Sequence, residues 1–208
     1  FAGTHVMADT FKKAGWKTYT VDWDKSTTVD LHADIGTLTL TDIIKLCHGV
    51  PDVIWASPDC TTYSMASIRT HRTKVDGVLQ PVSDYAKRCD VINAHVMELI
   101  DKLVHMGTKY YFIENPRGGL RTMPWMGGIP RYTVTYCQYG DCRMKPTDIF
   151  TNHPNPQFRP PCHNGDPCHI SAPRGSRTGT QGIKGKLNRA RIPQQLCDHI
   201  VEICEEVD

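Results

Sequence analysis

The chain has 208 residues, of which 39% are hydrophobic and 22% are charged. This balance is typical of one globular domain large enough to bury a core. The composition excludes a collagen, a coiled coil and a disordered chain. Without an apolar run of about eighteen residues we expect no membrane span. We also expect no secretory signal, so the nine cysteines predict a reducing, cytoplasmic compartment and reactive or metal-binding thiols.

The chain opens inside a predicted strand-to-helix turn, and we expect the natural protein to begin several residues earlier. Residues 1–3 would end the strand that feeds this turn, and apolar spacing then predicts a helix at Val6–Ala14. Further elements follow in chain order. They are strands at Lys17–Trp23, Asp52–Ala56, Tyr110–Ile113, Thr133–Cys137 and Thr147–Thr151, a long helix at Asp84–Met106 and a last helix at Gln194–Glu206.

Strands that alternate with helices predict an α/β fold with a mainly parallel sheet and helices on both faces. We expect a main domain over residues 1–151, a short loop-rich insertion over 152–187 and a C-terminal helix over 188–208 that packs back on the main domain. Ligands of such sheets bind beyond the carboxyl ends of the strands. Three polar segments lie at predicted strand ends, namely Asp22-Trp23, Asp59-Cys60 and Glu114-Asn115.

Two patterns near the start are typical of nucleotide recognition. Gly3 and Thr4 precede a helix whose first amides could face a ligand. Asp22 lies where an acid accepts hydrogen bonds from ribose hydroxyls, and Trp23 could lie against an adenine ring. Asp34 could then bind the adenine amino group. An ordinary strand-to-helix turn and a surface acid beside a packed indole explain the same residues, so these patterns alone do not decide the function.

Cys60 and Glu114 together indicate chemistry on a pyrimidine ring. Cys60 follows a buried strand in a Pro-Asp turn that would present its sulfur in a cleft. A thiolate is a strong nucleophile, although Asp59 would raise the thiol pKa unless a positive group compensates. A carboxyl at a buried strand end is costly without a partner or a task, and Glu114 could protonate a ring nitrogen. For Cys60 alone, an inert buried thiol is the alternative.

The ordered segments FAG, VDWD, ADI, SPDCTTYS, IENP and YCQYGDCR resemble the cytosine-C5 DNA methyltransferases, in their short phage- and prophage-type branch. The resemblance spans residues 1–151 and returns at Ile192-Pro193. It implies a Rossmann-like methyltransferase fold that uses S-adenosyl-L-methionine, releases S-adenosyl-L-homocysteine and acts on double-stranded DNA. In this family pattern Cys60 matches the nucleophile, and Glu114 matches the acid that protonates N3 of a flipped-out cytosine. We expect a monomer with no membrane partner.

The resemblance also implies which residues bind the cofactor. They are Phe1, Gly3, Thr4, Asp22, Trp23, Asp34, Ile35 and Pro58. The chain departs from the family pattern at His5, which replaces a glycine, and at Asp59, which replaces a proline. The family's Q-x-R-x-R becomes RMKPT at residues 143–147. Either Arg143 or Lys145 could therefore contact the base, and both are candidate catalytic residues.

Basic residues are concentrated in the second half. Residues 131–195 carry ten Lys and Arg residues against three acidic ones, and the rest carries fourteen against nineteen. Such a region favours a polyanionic partner, although solvated basic loops are the alternative. Candidate DNA contacts lie just after the nucleophile and in a glycine-rich stretch of the insertion. They are Arg69, Arg72, Arg174, Arg177, Lys184 and Lys186.

Cys162, Cys168 and His169 cluster in the insertion, with Cys137 and Cys142 upstream. A structural zinc ion could pin a loop that has no core of its own, although the spacing is looser than in a C-x2-C knuckle. No other metal site is predicted. Three further interpretations stay open: the same chemistry on transfer RNA or a pyrimidine nucleotide, a non-catalytic DNA-binding relative, and a zinc-ribbon interaction protein.

Overall fold

The computed structural model describes residues 4–171 and 185–206. Helices and strands are mixed along this part of the chain. The helices are α1 (Val6–Lys13), α2 (Leu40–Cys47), α3 (Ile68–His71), α4 (Asp84–Met106), α5 (Lys186–Ala190) and α6 (Gln194–Glu205). The strands are β1 (Val21–Asp22), β2 (Leu31–His32), β3 (Val53–Ala56), β4 (Arg72–Val75), β5 (Val78–Pro81), β6 (Tyr110–Pro116), β7 (Arg131–Thr135) and β8 (Pro146–Thr151).

The largest sheet of the described residues has four strands in the order β3-β6-β8-β7. β3 runs parallel to β6, with Val53 opposite Tyr110, whereas β8 is antiparallel to both of its neighbours. A parallel pair joins β1 to β2, and an antiparallel hairpin joins β4 to β5. The α/β class is confirmed, but the expectation of a mainly parallel sheet is wrong, because the sheet is mixed.

The connections explain the antiparallel half of the sheet. A parallel neighbour needs a crossover of a dozen or more residues, usually a helix, and α4 lies in the connection from β3 to β6. Only 3-10 turns lie between β6 and β7, and the chain then returns to β8 through residues 136–145. These two connections contain no crossover helix, and the strands that they lead to enter the sheet through antiparallel pairs.

Several predicted elements differ from the structure at their bounds. α4 matches its predicted range, and α1 and α6 each end one residue early. The strand predicted at Lys17–Trp23 shrinks to β1, and the one predicted at Thr133–Cys137 gives way to a 3-10 turn at Tyr136–Tyr139. β6 continues through Pro116 instead of ending at Ile113, because its last residues pair with β8 after β3 has ended.

Helix α2, the short α3 and the β4–β5 hairpin were not predicted from the sequence. A capping box begins α2: the Thr39 hydroxyl accepts from the Asp42 amide, and the Asp42 carboxylate accepts from the Thr39 amide. A threonine followed three residues later by an acid is a start signal that the sequence displays.

Two hydrophobic clusters cover the two faces of the sheet. Successive residues of a strand point to opposite faces, so Phe112 and Ile149 pack with α1 and α6, whereas Ile113 and Phe150 pack with α4. α6 is therefore part of the same core as the strands that carry the candidate site. Among the described residues no helix is both long and apolar enough to cross a membrane.

Candidate active site

Cys60 lies in a turn at the carboxyl end of β3. Its carbonyl accepts hydrogen bonds from the amides three and four residues later, at 3.1 and 2.9 Å. The carbonyl of the buried Pro58 accepts a hydrogen bond from Asn115 Nδ2 at 3.0 Å. This bond ties the turn to the adjacent strand β6, which carries Glu114. Two of the predicted strand-end segments therefore lie side by side.

Glu114 is buried, with 6% of its surface exposed. The fully buried Tyr136 donates its hydroxyl hydrogen to Glu114 Oε1 at 3.1 Å. Burial and the negative charge of Glu114 raise the pKa of the Tyr136 hydroxyl well above its usual range, so Tyr136 remains a donor that orients the carboxyl. The sequence analysis missed Tyr136. Its signal is an aromatic residue that needs a polar partner if its hydroxyl is buried.

Lys145 is the cation that faces the thiol and the carboxyl. Its charge acts on both Cys60 and Glu114, and its ammonium lies 4.5 Å from the centre of the Tyr136 ring. Burial lowers the pKa of Lys145, whereas Glu114 raises it. The backbone φ of Lys145 is 27°, a conformation uncommon for a residue other than glycine. Strained backbone of this kind is concentrated at functional sites.

Arg143 has a different environment. Its guanidinium forms an ion pair with Asp141 and also donates to the backbone carbonyls of Arg189 at 3.0 Å and Arg191 at 3.2 Å. Only 3% of the surface of Arg143 is exposed. These contacts occupy the guanidinium in joining the loop before β8 to the chain before α6. Of the two candidates, Lys145 is the one whose charge acts on Cys60.

The surroundings of Cys60 favour the protonated thiol. Burial raises the pKa of Cys60, the negative charges of Glu114 and Asp59 raise it further, and Lys145 lowers it. The Asp59 carboxylate accepts hydrogen bonds from the Thr61 amide at 2.7 Å and from the Tyr85 hydroxyl at 2.9 Å. The compensating positive group that the sequence analysis requires is thus a lysine from the β7–β8 connection.

The candidate cofactor residues around β1 offer a carboxylate and an open aromatic surface. Phe1 and Gly3 lie outside the described residues. Asp22 is buried at the end of β1, where its Oδ1 accepts from the Asp24 amide at 3.0 Å. Trp23 is 66% exposed. An accessible indole beside a buried acid fits the adenosine part of S-adenosylmethionine.

Thr4 is half-buried in the turn before α1, and its neighbour His5 caps that helix with φ 59°. This left-handed conformation is the one that glycine adopts without strain. A glycine at the position of His5, as in the family pattern, would adopt this φ without strain. His5 Nε2 and Asn115 Oδ1 are buried, and neither has a hydrogen-bond partner within the described ranges. Unpaired buried polar atoms are costly, so both are available to a bound ligand.

Asp34 already has partners within the chain. Its Oδ2 forms an ion pair with Arg88 of α4 at 2.7 Å, and its Oδ1 accepts from the Gly36 amide at 3.0 Å. Ile35 begins the 3-10 turn that Asp34 caps. An adenine amino group would therefore have to share the Asp34 carboxylate with Arg88.

The candidate DNA contacts differ in their exposure to solvent, and three of them lie outside the described residues. Arg69 is exposed on α3. Arg72 is 3% exposed and forms an ion pair with Asp90 at 2.5 Å, so its guanidinium already has a partner within the chain. Its position after a turn gave no sign of this burial. Arg174, Arg177 and Lys184 lie outside the described residues, and Lys186 begins α5.

No protein-family model matches the chain. The chain is similar to a "Probable DNA (cytosine-5)-methyltransferase" of Frog virus 3 (isolate Goorha), with 26% identity over 222 aligned positions. The alignment covers 98% of this chain and 97% of the relative. The similarity is therefore not confined to the ends of β3 and β6, which carry Cys60 and Glu114. It also includes the segment after β8 and helix α6.

Proposed function

We propose that the chain is a member of the cytosine-C5 DNA methyltransferase family, in line with the name of its relative, and that it methylates C5 of cytosine in double-stranded DNA. The observation that carries the proposal is the convergence of a thiol, a buried carboxyl and an ammonium. The charges of Glu114 and Lys145 act on the pKa of Cys60, and the charges of Glu114 and Cys60 act on the pKa of Lys145. These are the nucleophile, the acid and the cation that addition to a pyrimidine ring requires.

The reaction begins with a base outside the duplex, because a stacked cytosine cannot reach the half-buried Cys60 thiol in its turn. Extruding it costs about a few kcal/mol of stacking and pairing. The Cys60 sulfur, once deprotonated, then forms a bond to C6. Glu114 donates a hydrogen to N3, so the ring can accept the electron pair. C5 becomes the nucleophile that would take the methyl group from the sulfonium sulfur of the bound cofactor, which leaves as the thioether of S-adenosyl-L-homocysteine. Solvent water then accepts the C5 proton, the C6–sulfur bond breaks to release the thiolate, and N3 returns its proton to Glu114, which restores the aromatic ring.

Lys145 and Arg143 have separate roles in this proposal. The Lys145 ammonium stabilises the Cys60 thiolate and faces the base, where the family pattern has its first arginine. Arg143 is a positioning residue, since it joins the loop that carries Lys145 to the chain before α6. Tyr136 is a second positioning residue, because it fixes the orientation of the Glu114 carboxyl.

S-adenosylmethionine, when bound, supplies the electrophilic methyl group. Asp22 would bind its ribose hydroxyls and Trp23 would lie against its adenine ring. Asp34, Ile35, Thr4 and Pro58, together with Phe1 and Gly3, complete the set that the family resemblance implies.

The central test is the substitution Cys60→Ser. We expect it to abolish methyl incorporation into duplex DNA while S-adenosylmethionine binding changes little, because the hydroxyl is a far weaker nucleophile than a thiolate. Cys47→Ser, a half-buried cysteine at the end of α2, is the matched control and should keep full activity. Unchanged methyl incorporation in the Cys60 variant would refute the mechanism.

Duplex DNA that contains 5-fluorocytosine gives an independent readout. The fluorine cannot leave C5 as a proton does, so the wild-type chain should remain covalently attached after denaturation and the Cys60→Ser variant should not. Incorporation into duplex DNA should also exceed incorporation into transfer RNA and into a free cytidine nucleotide. Higher incorporation into transfer RNA or into the free cytidine nucleotide would mean that the chain performs the same chemistry on that substrate.

A further inference from the structure

Four groups that bind metals in proteins come together away from Cys60. The sulfur atoms of Cys137, Cys162 and Cys168 and a ring nitrogen of His169 all lie within 4.8 Å of one another. Cys137 belongs to the 3-10 turn after β7, whereas the other three belong to the irregular segment after β8. The cluster therefore joins two parts of the chain. The sequence analysis singled out three of these residues and placed Cys137 only nearby.

The distances match a tetrahedral zinc site. Zinc bonds of about 2.3 Å to sulfur and about 2.0 Å to nitrogen place two sulfur ligands about 3.8 Å apart and a sulfur and a nitrogen about 3.6 Å apart. The Cys168 and Cys137 sulfurs are 3.6 Å apart, and His169 Nδ1 is 3.7 Å from the sulfurs of both Cys162 and Cys168.

One sulfur pair is closer than the tetrahedral spacing. Cys137 Sγ and Cys162 Sγ are 3.0 Å apart, which is about 1 Å longer than a disulfide bond. Both cysteines are free. A small outward movement of either side chain would bring this pair to the tetrahedral spacing, and an ion between the sulfurs would supply the force for it.

Hydrogen-bond donors and acceptors surround the sulfur atoms. Gln138 Nε2 donates to Cys168 Sγ at 3.6 Å. The Thr135 hydroxyl accepts from the Cys162 amide at 2.9 Å and also hydrogen-bonds the Cys137 sulfur. Groups of this kind orient the ligands of a metal and are a regular part of zinc sites.

The segment that holds three of these ligands lacks regular secondary structure. Residues 152–171 contain no helix or strand, and most of their side chains are exposed. Fixing each backbone residue costs about 1–2 kcal/mol of conformational entropy. A loop without a core of its own is often held by a metal ion for this reason.

We propose that Cys137, Cys162, Cys168 and His169 bind one structural zinc ion. Zinc replaces the thiol protons of the three cysteines, which are released, and it binds His169 as the neutral imidazole. All four positions are filled by protein, so the site is closed and structural. If the proposed function holds, the ion joins the predicted DNA-recognition segment to the turn that leads to Lys145.

Elemental analysis of the reduced wild-type chain, purified without chelators, tests this site. We expect one zinc per chain. Cys168→Ser should lose most of the zinc, and because Cys168 is exposed this change should leave the core intact. Cys142→Ser is the matched control, since Cys142 is exposed in the β7–β8 connection, accepts a backbone hydrogen bond from Ile170 and lies outside the four-ligand group. It should keep the zinc.

A zinc-free wild-type chain overturns the proposal, and so does equal zinc in the Cys168 and Cys142 variants. A disulfide between Cys137 and Cys162 also overturns it, because two ligands would then be consumed. None of these outcomes depends on methyl transfer. A chain that holds zinc and methylates nothing would count against the proposed function alone.

Cobalt substitution reports on the ligand set directly. Exchange of the metal for Co²⁺ should give the thiolate charge-transfer absorption and the strong visible bands of a tetrahedral site. Cys142→Ser should leave this spectrum unchanged, and Cys168→Ser should weaken the charge-transfer absorption. The weak spectrum of an octahedral, oxygen-bound cobalt in the wild-type chain would contradict a site made of three sulfurs and one nitrogen.

Discussion

At Cys60, the surrounding charges disfavour the thiolate, which is the form that the proposed reaction needs. Burial, Glu114 and Asp59 raise the pKa of the thiol, and Lys145 lowers it. Only the thiolate attacks. A Glu114 that holds a proton no longer contributes the negative charge that raises the Cys60 pKa. The acid and the nucleophile are therefore coupled, and protonating one favours ionising the other.

This coupling predicts how fast Cys60 reacts with iodoacetamide. The rate should keep rising about tenfold per pH unit beyond pH 9.0, the ordinary pKa of a cysteine, because the raised pKa delays ionisation. At fixed pH, Asp59→Asn removes a negative charge and should accelerate alkylation, whereas Lys145→Gln should slow it. Mass spectrometry of the Cys60 peptide measures both effects.

Cys47 in the same digest is the internal control, since burial alone raises its pKa and neither substitution should change its alkylation rate. A Cys60 rate that reaches its plateau well below pH 9.0 would mean that the pKa of the thiol is lowered and not raised. Slower alkylation in Asp59→Asn would mean that this carboxylate acts through its hydrogen bonds and not through its charge.

At the scale of elements, Arg72 joins the turn that follows Cys60 to α4. Its Nε donates to the Thr62 carbonyl at 2.8 Å, and its two terminal nitrogens reach both oxygens of Asp90, at 2.5 and 3.0 Å. The guanidinium also stacks 4.2 Å from the centre of the Tyr63 ring. The residues that follow Cys60 are thereby held against strand β4 and helix α4.

Arg72→Ala should lower the free energy of unfolding by about 3–5 kcal/mol, because it leaves the largely buried Asp90 carboxylate with the Tyr63 hydroxyl but without a cationic partner. Arg69→Ala, an exposed arginine on α3, should change it by less than about 0.5 kcal/mol. Urea denaturation measures both. If Arg72→Ala instead keeps wild-type stability and loses only affinity for DNA, Arg72 contacts the duplex and the packing described above is wrong.

At the scale of the whole molecule, α6 closes the core at the end of the described chain. Leu196, Cys197 and Ile200 are fully buried in the cluster that also holds Phe112 of β6 and Ile149 of β8. Gln194 Nε2 donates to Thr10 Oγ1 of α1 at 2.8 Å. The first and last described helices are thus packed on the sheet that carries the candidate site.

Ile200→Ala should therefore lower the free energy of unfolding by about 2–5 kcal/mol, in one cooperative transition. Glu202→Ala, on the exposed side of the same helix, should have little effect. Thermal unfolding followed by circular dichroism distinguishes the two variants. A separate early transition in Ile200→Ala would show that α6 unfolds independently of the sheet.

The sequence by itself determined the local elements and the ends of the strands. Helical spacing placed α4 at its observed bounds, and short apolar runs located β3 and the start of β6. Because functional groups lie beyond strand ends in α/β folds, the same runs singled out Cys60 and Glu114. These signals are local, since they depend on the periodicity and turn residues of one segment.

Only the tertiary structure decided which segments meet. It made Lys145 the cation near Cys60, buried Arg72 against Asp90, gave Glu114 its partner Tyr136 and brought Cys137 to the cysteines of the insertion. It also turned β8 antiparallel to β6. A residue pattern reports whether a side chain prefers burial, but a contact between distant segments depends on how the whole chain packs, which no single segment encodes.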